Sequence, residues 1–143
     1  MQTKAQRIVR RMYDHDPFSQ WLGIEVLEVR EGFCRLRMEV REEMLNGFGI
    51  AHGGISYSLA DSAFAFASNS HGRHAVSIET SISHTRAVHT GDVLLAQAQV
   101  QHLSNRLGIY EVQVRREDGT IVALFKGTVF RKDREWEPSN PAD

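Results

Sequence analysis

At 143 residues the chain suits one domain with a core of its own. Lys and Arg number 17 against 18 Asp and Glu, a formal net charge of −1, which gives no electrostatic case for binding nucleic acid or a membrane surface. A single cysteine, Cys34, excludes an internal disulfide; no apolar run is long enough to span a bilayer and no leader-like segment opens the chain, so cytoplasmic residence is the expectation.

Thr3 to Tyr13 reads as an amphipathic helix with Ile8, Val9 and Met12 on its apolar stripe, stopped by Asp14-His15-Asp16-Pro17. Pro17 to Leu22 suits a short helical turn, with Phe18, Trp21 and Leu22 as a lid or packing patch. Ile24 to Val29 and Phe33 to Val40 read as strands joined at Glu31-Gly32, the second with Cys34, Leu36, Met38 and Val40 on one face. Arg41 to Leu45 is a short polar link.

The next stretch organises the rest. Asn46-Gly47-Phe48-Gly49-Ile50-Ala51-His52-Gly53-Gly54 is glycine-rich, and Ile55 to Ser70 follows without Pro or Gly, long enough for roughly four helical turns. Gly72 is placed to cap that helix. Apolar and small residues lie all round it, the pattern of a helix buried on most sides, yet Asp61 sits in its middle. A buried carboxylate is costly unless paired, hydrogen-bonded or functional. The helix start at Gly53-Gly54 leaves backbone N–H groups free to stabilise negative charge. Gly53 and Asp61 are about 12 Å apart along the helix, so one carbonyl cannot touch both within one copy. Two antiparallel copies can bring one helix start beside the other copy's Asp61, which points to a site shared across a two-fold dimer.

Beyond Gly72 the pattern turns to strands. His74 to Ala87 places Val76, Ile78, Thr80 and Ile82 on one side; His89-Thr90-Gly91-Asp92 turns into Val93 to His102; Ser104-Asn105-Arg106 turns into Gly108 to Arg115; Glu117-Asp118-Gly119 is a hairpin signal before Thr120 to Arg131. Lys132 to Asp143 is charged, contains proline and is expected to form a flexible tail. One long apolar helix among six strands implies an α+β fold in which a curved antiparallel sheet wraps the helix.

Asp61 has two readings: a structural acid bonded to backbone or to Ser58 or Ser62, or a base or nucleophile facing a carbonyl held by Gly53. Gly53-Gly54 could equally serve close helix–sheet packing. Asn46 and His52 together before a glycine helix start point to an oxyanion site. Three other patterns are set aside. Gly54-Ile55-Ser56-Tyr57-Ser58 lacks the second glycine of a nucleophile elbow. Cys34 is a packing residue, and the seven histidines match no zinc spacing, so no metal is expected.

Leu45-Asn46-Gly47, His52-Gly53-Gly54 and Leu59-Ala60-Asp61-Ser62-Ala63-Phe64-Ala65 resemble the signature of hotdog-fold acyl-CoA thioesterases of the phenylacetic acid degradation type. Leu22-Gly23-Ile24, Gly91-Asp92 and Val122-Ala123-Leu124-Phe125 extend the resemblance from about Met12 to about Arg131. It implies a hotdog fold, a homodimer with shared active sites and a homotetramer built from it. No cofactor is implied beyond the CoA carried by the substrate. In that pattern Gly53 N–H polarises the thioester carbonyl with help from Asn46, and His52 orders the loop. Asp61 of the opposing subunit activates water or attacks directly, and Ser77 holds the water, with Thr80 or Ser81 as alternatives. Gly54, Arg86, Asn105, Arg106 and Lys126 become candidates for contact with the acyl-CoA. The run Ser83-His84-Thr85-Arg86-Ala87 departs from the acid, aromatic and Arg-Pro pattern common in relatives. The implied activity is hydrolysis of phenylacetyl-CoA or its ring-hydroxylated derivatives. The alternatives are medium- or long-chain or other aryl acyl-CoAs, a hotdog hydratase, and a non-catalytic acyl-CoA sensor.

Overall fold

The structure, a computed structural model, describes residues 1–138; residues 139–143 lie outside it. Helix α1 (Lys4–Asp14) starts at a capping box, in which Thr3 and Gln6 satisfy each other's backbone N–H groups, and buries Ala5, Ile8 and Val9. Helix α2 (Pro17–Leu22) follows at once, with Asp16 as its N-cap and Pro17 in its first turn. Strands β1 (Glu25–Arg30) and β2 (Phe33–Glu39) form a hairpin, and a 3-10 turn at Glu42–Met44 leads to helix α3 (Gly53–Asn69). Four strands follow among the described residues: β3 (Arg73–His84), β4 (Val93–Leu103), β5 (Leu107–Arg116) and β6 (Ile121–Glu135).

All six strands form one sheet in the order β1-β2-β4-β5-β6-β3, and every pairing is antiparallel. Register shifts in β1, β3 and β4, and on β6 where it pairs with β5, kink the ladder, as a sheet curling round a helix requires. Helix α3 packs against its concave face. Leu59, Ala60, Ala63, Phe64 and Ala67 are fully buried, and the sheet supplies Leu36, Met38, Leu94, Ala96, Ala98, Tyr110, Val112 and Phe125. The closest approach is at Gly127, where an added Cβ would stand 2.6 Å from Phe64 Cζ. Only glycine lets the β6 backbone lie on that ring.

Burial does not extend all round α3. Tyr57, Ser58, Asp61, Ser62 and Ala65 remain half exposed, one stripe bordered by α2 on one side and β3 on the other. The helix also ends earlier than Gly72 suggests. Ser70 is the C-cap in right-handed helical geometry, and Gly72, at φ 119°, makes the turn into β3 instead.

Two strand expectations are corrected. In β3, Ser77 pairs with Val129 and Glu79 with Thr128, so Ile78 is an extra residue in the ladder. The bulge puts Ser77, Thr80, Ile82 and His84 on the helix-facing side, opposite Val129, Gly127, Phe125 and Ala123. Val76 pairs with Phe130 on the outer face, so it does not share a side with Thr80 and Ile82. At the other end, residues 132–138 are not a loose tail. Strand β6 runs to Glu135 and Trp136 stacks on His74 with ring centroids 3.9 Å apart. Trp136 also donates from Nε1 to Asn69 Oδ1 at 2.9 Å, and Glu137 pairs with Arg7 at 3.0 Å. The rest of the expected tail, 139–143, lies outside the described residues.

Candidate functional site

The loop before α3 is held from both ends. Asn46 N–H donates to Ile50 O at 2.8 Å, Ala51 N–H to Val88 O at 2.7 Å and His52 N–H to Met44 O at 2.8 Å. Asn46 Oδ1 accepts from Phe48 N–H at 2.9 Å and from Ile50 N–H at 3.4 Å, the local bonding that suits asparagine to a tight turn. With Oδ1 committed to the loop, Nδ2 is left as a donor. His52 is the N-cap of α3, and its Nδ1 accepts from Gly54 N–H at 2.9 Å. Gly54 therefore has its N–H occupied, whereas Gly53 N–H has no acceptor among the described residues. Asn46, Gly53, Ser56, His84 and Arg86 line one groove of about 340 Å³. Two donors, one backbone and one amide, thus share a groove at the positive end of a helix.

Asp61 is half buried, and no described side chain or backbone group hydrogen-bonds to its carboxylate. The two serines that could have made it a structural acid are engaged elsewhere. Ser58 donates to Gly54 O at 2.7 Å. Ser19 donates to Asp16 Oδ2 at 2.6 Å, so in its 2.8 Å contact with Ser62 it is Ser62 that donates. This chain of hydroxyls pins α2 onto α3 and brings Asp16 into the neighbourhood of Asp61. Loss of water, and after it the negative charge of Asp16, hold the Asp61 carboxyl above the usual carboxylate range. An unpaired carboxylate with raised basicity is equipped to take a proton from water.

The remaining sequence candidates divide. Arg86 lies in the groove with Asn46 and Gly53. Ser77 is on the helix-facing side of β3, as is Thr80, whose hydroxyl is hydrogen-bonded to Tyr57; Ser81 faces outward opposite Lys126. Lys126 lies on the outer face of the sheet, in a hollow with Ser81, Glu111 and Leu124. Asn105 and Arg106 occupy the β4–β5 turn, near the start of β3 and the far end of α3. There Asn105 Oδ1 accepts from Arg73 at 3.1 Å, and Arg106 pairs with Asp133 at 3.0 Å. Within one chain these three residues do not meet the groove at Gly53.

Sequence reasoning missed three contributors. The ring of His84 packs on Gly53: an added Cβ there would stand 3.3 Å from His84 Nε2. Alternation from Thr80 and Ile82 puts His84 on the helix-facing side, but its contact with Gly53 joins the end of β3 to the start of α3, which no local pattern shows. Asp16 reads only as part of a helix stop and Ser19 only as part of the short turn after it, because their link to Ser62 spans distant parts of the chain. Cys34 is buried on β2, its thiol pushed up to about 12 by loss of water, in keeping with a packing role. Among the described residues no cluster of three or more His, Cys, Asp or Glu is arranged to hold a metal, and no helix is long and apolar enough to cross a membrane.

The sequence model of the Thioesterase superfamily matches residues 48–123. Acyl-coenzyme A thioesterase PaaI of Escherichia coli K12 is 40% identical over 131 residues, covering 92% of this chain and 94% of that enzyme. The structure of E. coli PaaI, a protein of the phenylacetic acid degradation operon, superposes with a TM-score of 0.90 at 39% identity, over 92% of this chain and 96% of that one. The TT0310 protein of Thermus thermophilus gives 0.79 at 45% identity over 82% and 98% of the two chains. A protein of Streptococcus mutans UA159 bound to acetyl CoA gives 0.76 at 27% identity over 78% and 90%.

Proposed function

The chain belongs to the thioesterase superfamily, and on that premise we propose that it hydrolyses phenylacetyl-CoA and its ring-hydroxylated derivatives to the free acid and CoA. It is an acyl-CoA thioester hydrolase with the hotdog fold. The observation that carries the mechanism is the groove in which the unpaired Gly53 N–H meets Asn46.

In this reading the thioester carbonyl oxygen docks on Gly53 N–H and Asn46 Nδ2, and His52 keeps the loop in shape through its bond from Gly54. Asp61 comes from the partner subunit, since about 12 Å of helix separates it from Gly53 of its own chain. The free edge of β3 is the surface on which two copies pair: Ile78 and Val76 are 58% and 42% exposed there, an apolar edge that an isolated chain would leave open to aggregation. Asp61 takes a proton from water as the oxygen adds to the carbonyl carbon. The negative charge passes to the carbonyl oxygen, and the C–S bond then breaks to release CoA thiolate. A thiol pKa of about 8.5 makes that leaving group good enough to depart without a general acid. Each oxyanion donor typically supplies roughly 3 kcal/mol. Ser77 lies on the face of β3 that looks toward α3 and is the candidate for holding the water. Arg86, which lines the groove, is the candidate for meeting a phosphate of CoA. Two such dimers would make the tetramer. The reaction needs no cofactor.

A hydratase needs a histidine and an acid poised at one carbon. His52 Nδ1 is committed to the Gly54 N–H, and the match to the Thioesterase superfamily and to acyl-coenzyme A thioesterase PaaI supports hydrolysis instead. The test is thiol release across phenylacetyl-CoA, a hydroxyphenylacetyl-CoA, benzoyl-CoA and short and long fatty acyl-CoAs, with Asp61→Asn beside the parent. Turnover of the aryl members that is lost in Asp61→Asn, with CoA binding kept, is the expected result. Turnover of fatty acyl-CoAs alone would leave a thioesterase with another substrate. Silence throughout, with tight acyl-CoA binding, would favour a sensor.

A further inference from the structure

We propose that His84 is a further catalytic residue, whose Nε2–H donates a third hydrogen bond to the thioester oxygen held by Gly53 and Asn46. The inference rests on the hydrolase reading and adds a residue from the end of β3.

Three observations converge. His84 ends the helix-facing row of β3 that begins after the bulge, because it pairs with buried Ala123. Its imidazole lies against Gly53, with Nε2 the nearest of its atoms to the place a Cβ would take, at 3.3 Å, ahead of Cε1 at 3.6 Å. It lines the same groove as Asn46 and Arg86. Neither ring nitrogen of His84 is bonded to another described side chain or backbone group, whereas His52 and His71 each have a ring nitrogen so engaged. An imidazole beside an unpaired backbone N–H, on the wall of the same groove, is within reach of what that N–H binds.

The proton need not move. Nucleophile addition breaks the carbonyl π bond and leaves a negative oxygen; His84 meets that charge with a hydrogen bond, and the charge returns as the C–S bond breaks. A donor of this kind acts on charge that develops in the transition state, so it raises kcat rather than ground-state affinity.

The experiment pairs kinetics with NMR. His84→Phe keeps a ring against Gly53 and removes the donor; kcat for phenylacetyl-CoA is expected to fall about tenfold to a hundredfold with KM nearly constant, and His84→Gln, which keeps an N–H, recovers part of it. In parallel, 15N-histidine spectra are recorded with a ketone analogue of phenylacetyl-CoA, in which a methylene separates sulfur from carbonyl. A shifted Nε2 signal that is absent from His84→Phe reports the hydrogen bond whether or not the protein turns over. Full kcat in His84→Phe, a change in KM alone, or turnover without the Nε2 shift overturns the proposal and leaves the hydrolase reading standing. An Nε2 shift in a protein that hydrolyses no acyl-CoA supports the contact and overturns the hydrolase reading.

Discussion

The Gly54 N–H donates to His52 Nδ1 at 2.9 Å, and the neighbouring Gly53 N–H is left without an acceptor among the described residues. One side chain thereby decides which backbone donor of the helix start is spent on structure and which stays available for a ligand. A bound carbonyl at Gly53 meets a donor whose direction is already fixed by the cap.

His52→Ala should therefore damage both folding and rate. Loss of an N-cap costs about 1 kcal/mol, and an unset loop misaims the donors, for which a loss of about tenfold to a hundredfold in kcat is expected. His52→Asn, which can still cap through its side-chain oxygen, should recover most of the stability in urea titrations and part of the rate. Equal losses in both variants would show that His52 does more than cap.

Asp61 sets stability against function in a way that pH exposes. Desolvation first, and the charge of Asp16 second, hold its carboxyl above the usual range. Between the ordinary value, about 3.9, and the raised one, the folded chain binds more protons than the unfolded chain, so stability falls as pH rises through that window. Above it the ionised carboxylate is a constant cost. Asp61→Asn should melt at a higher temperature than the parent at pH 7, and the difference should close below about pH 3.9. Asp16→Asn should shift the acid limb of kcat/KM to lower pH, because it removes a like charge. A parent that melts no lower than Asp61→Asn at pH 7 would mean the carboxylate has a partner that offsets its desolvation.

The parts of the site that were legible in the sequence are those carried within one continuous stretch. Asn46 and His52 lie on the loop that feeds α3, and the rise of the helix spaces Gly53 from Asp61. What was not legible depends on pairing across strands. The bulge at Ile78 reverses the facing of half of β3, which decides that Ser77 and Thr80 look inward while Ser81 looks outward. The antiparallel run of α3 and β3 decides that Arg86 joins the Gly53 end while Asn105 and Arg106 sit at the other. Trp136 was hidden because charge and proline dominate its neighbourhood, and its stacking partner, His74, lies far back in the chain.

Ile78 offers a direct test of the shared site. It is 58% exposed on the free edge of β3, at the bulge. A charge on such an edge discourages strand pairing at little cost to the folded chain. Ile78→Lys should sediment as a monomer with unchanged far-UV circular dichroism, and hydrolysis should fall at least about a hundredfold, since Gly53 and Asp61 of one copy stay about 12 Å apart. A monomer with parent activity would place both groups' work within a single chain.

Gly127 tests how tightly the sheet grips the helix. A Cβ at that position would meet Phe64 Cζ at 2.6 Å and Cε1 at 2.7 Å, too close for any real contact, and the ring has little room to retreat. Phe64 is buried between Tyr110 and Phe125, with ring centroids 5.8 and 5.6 Å away. Gly127→Ala should thus cost about 1–3 kcal/mol in urea unfolding, the usual penalty of overpacking. Phe64→Leu by itself leaves space and should also destabilise. Combined, the smaller side chain makes room for the new methyl, so the double variant should lose less than the sum of the two single losses by at least about 0.5 kcal/mol. Strict additivity would mean that β6 shifts away from α3 instead of pressing on the ring, and that the helix is held less closely than the Gly127 contact implies.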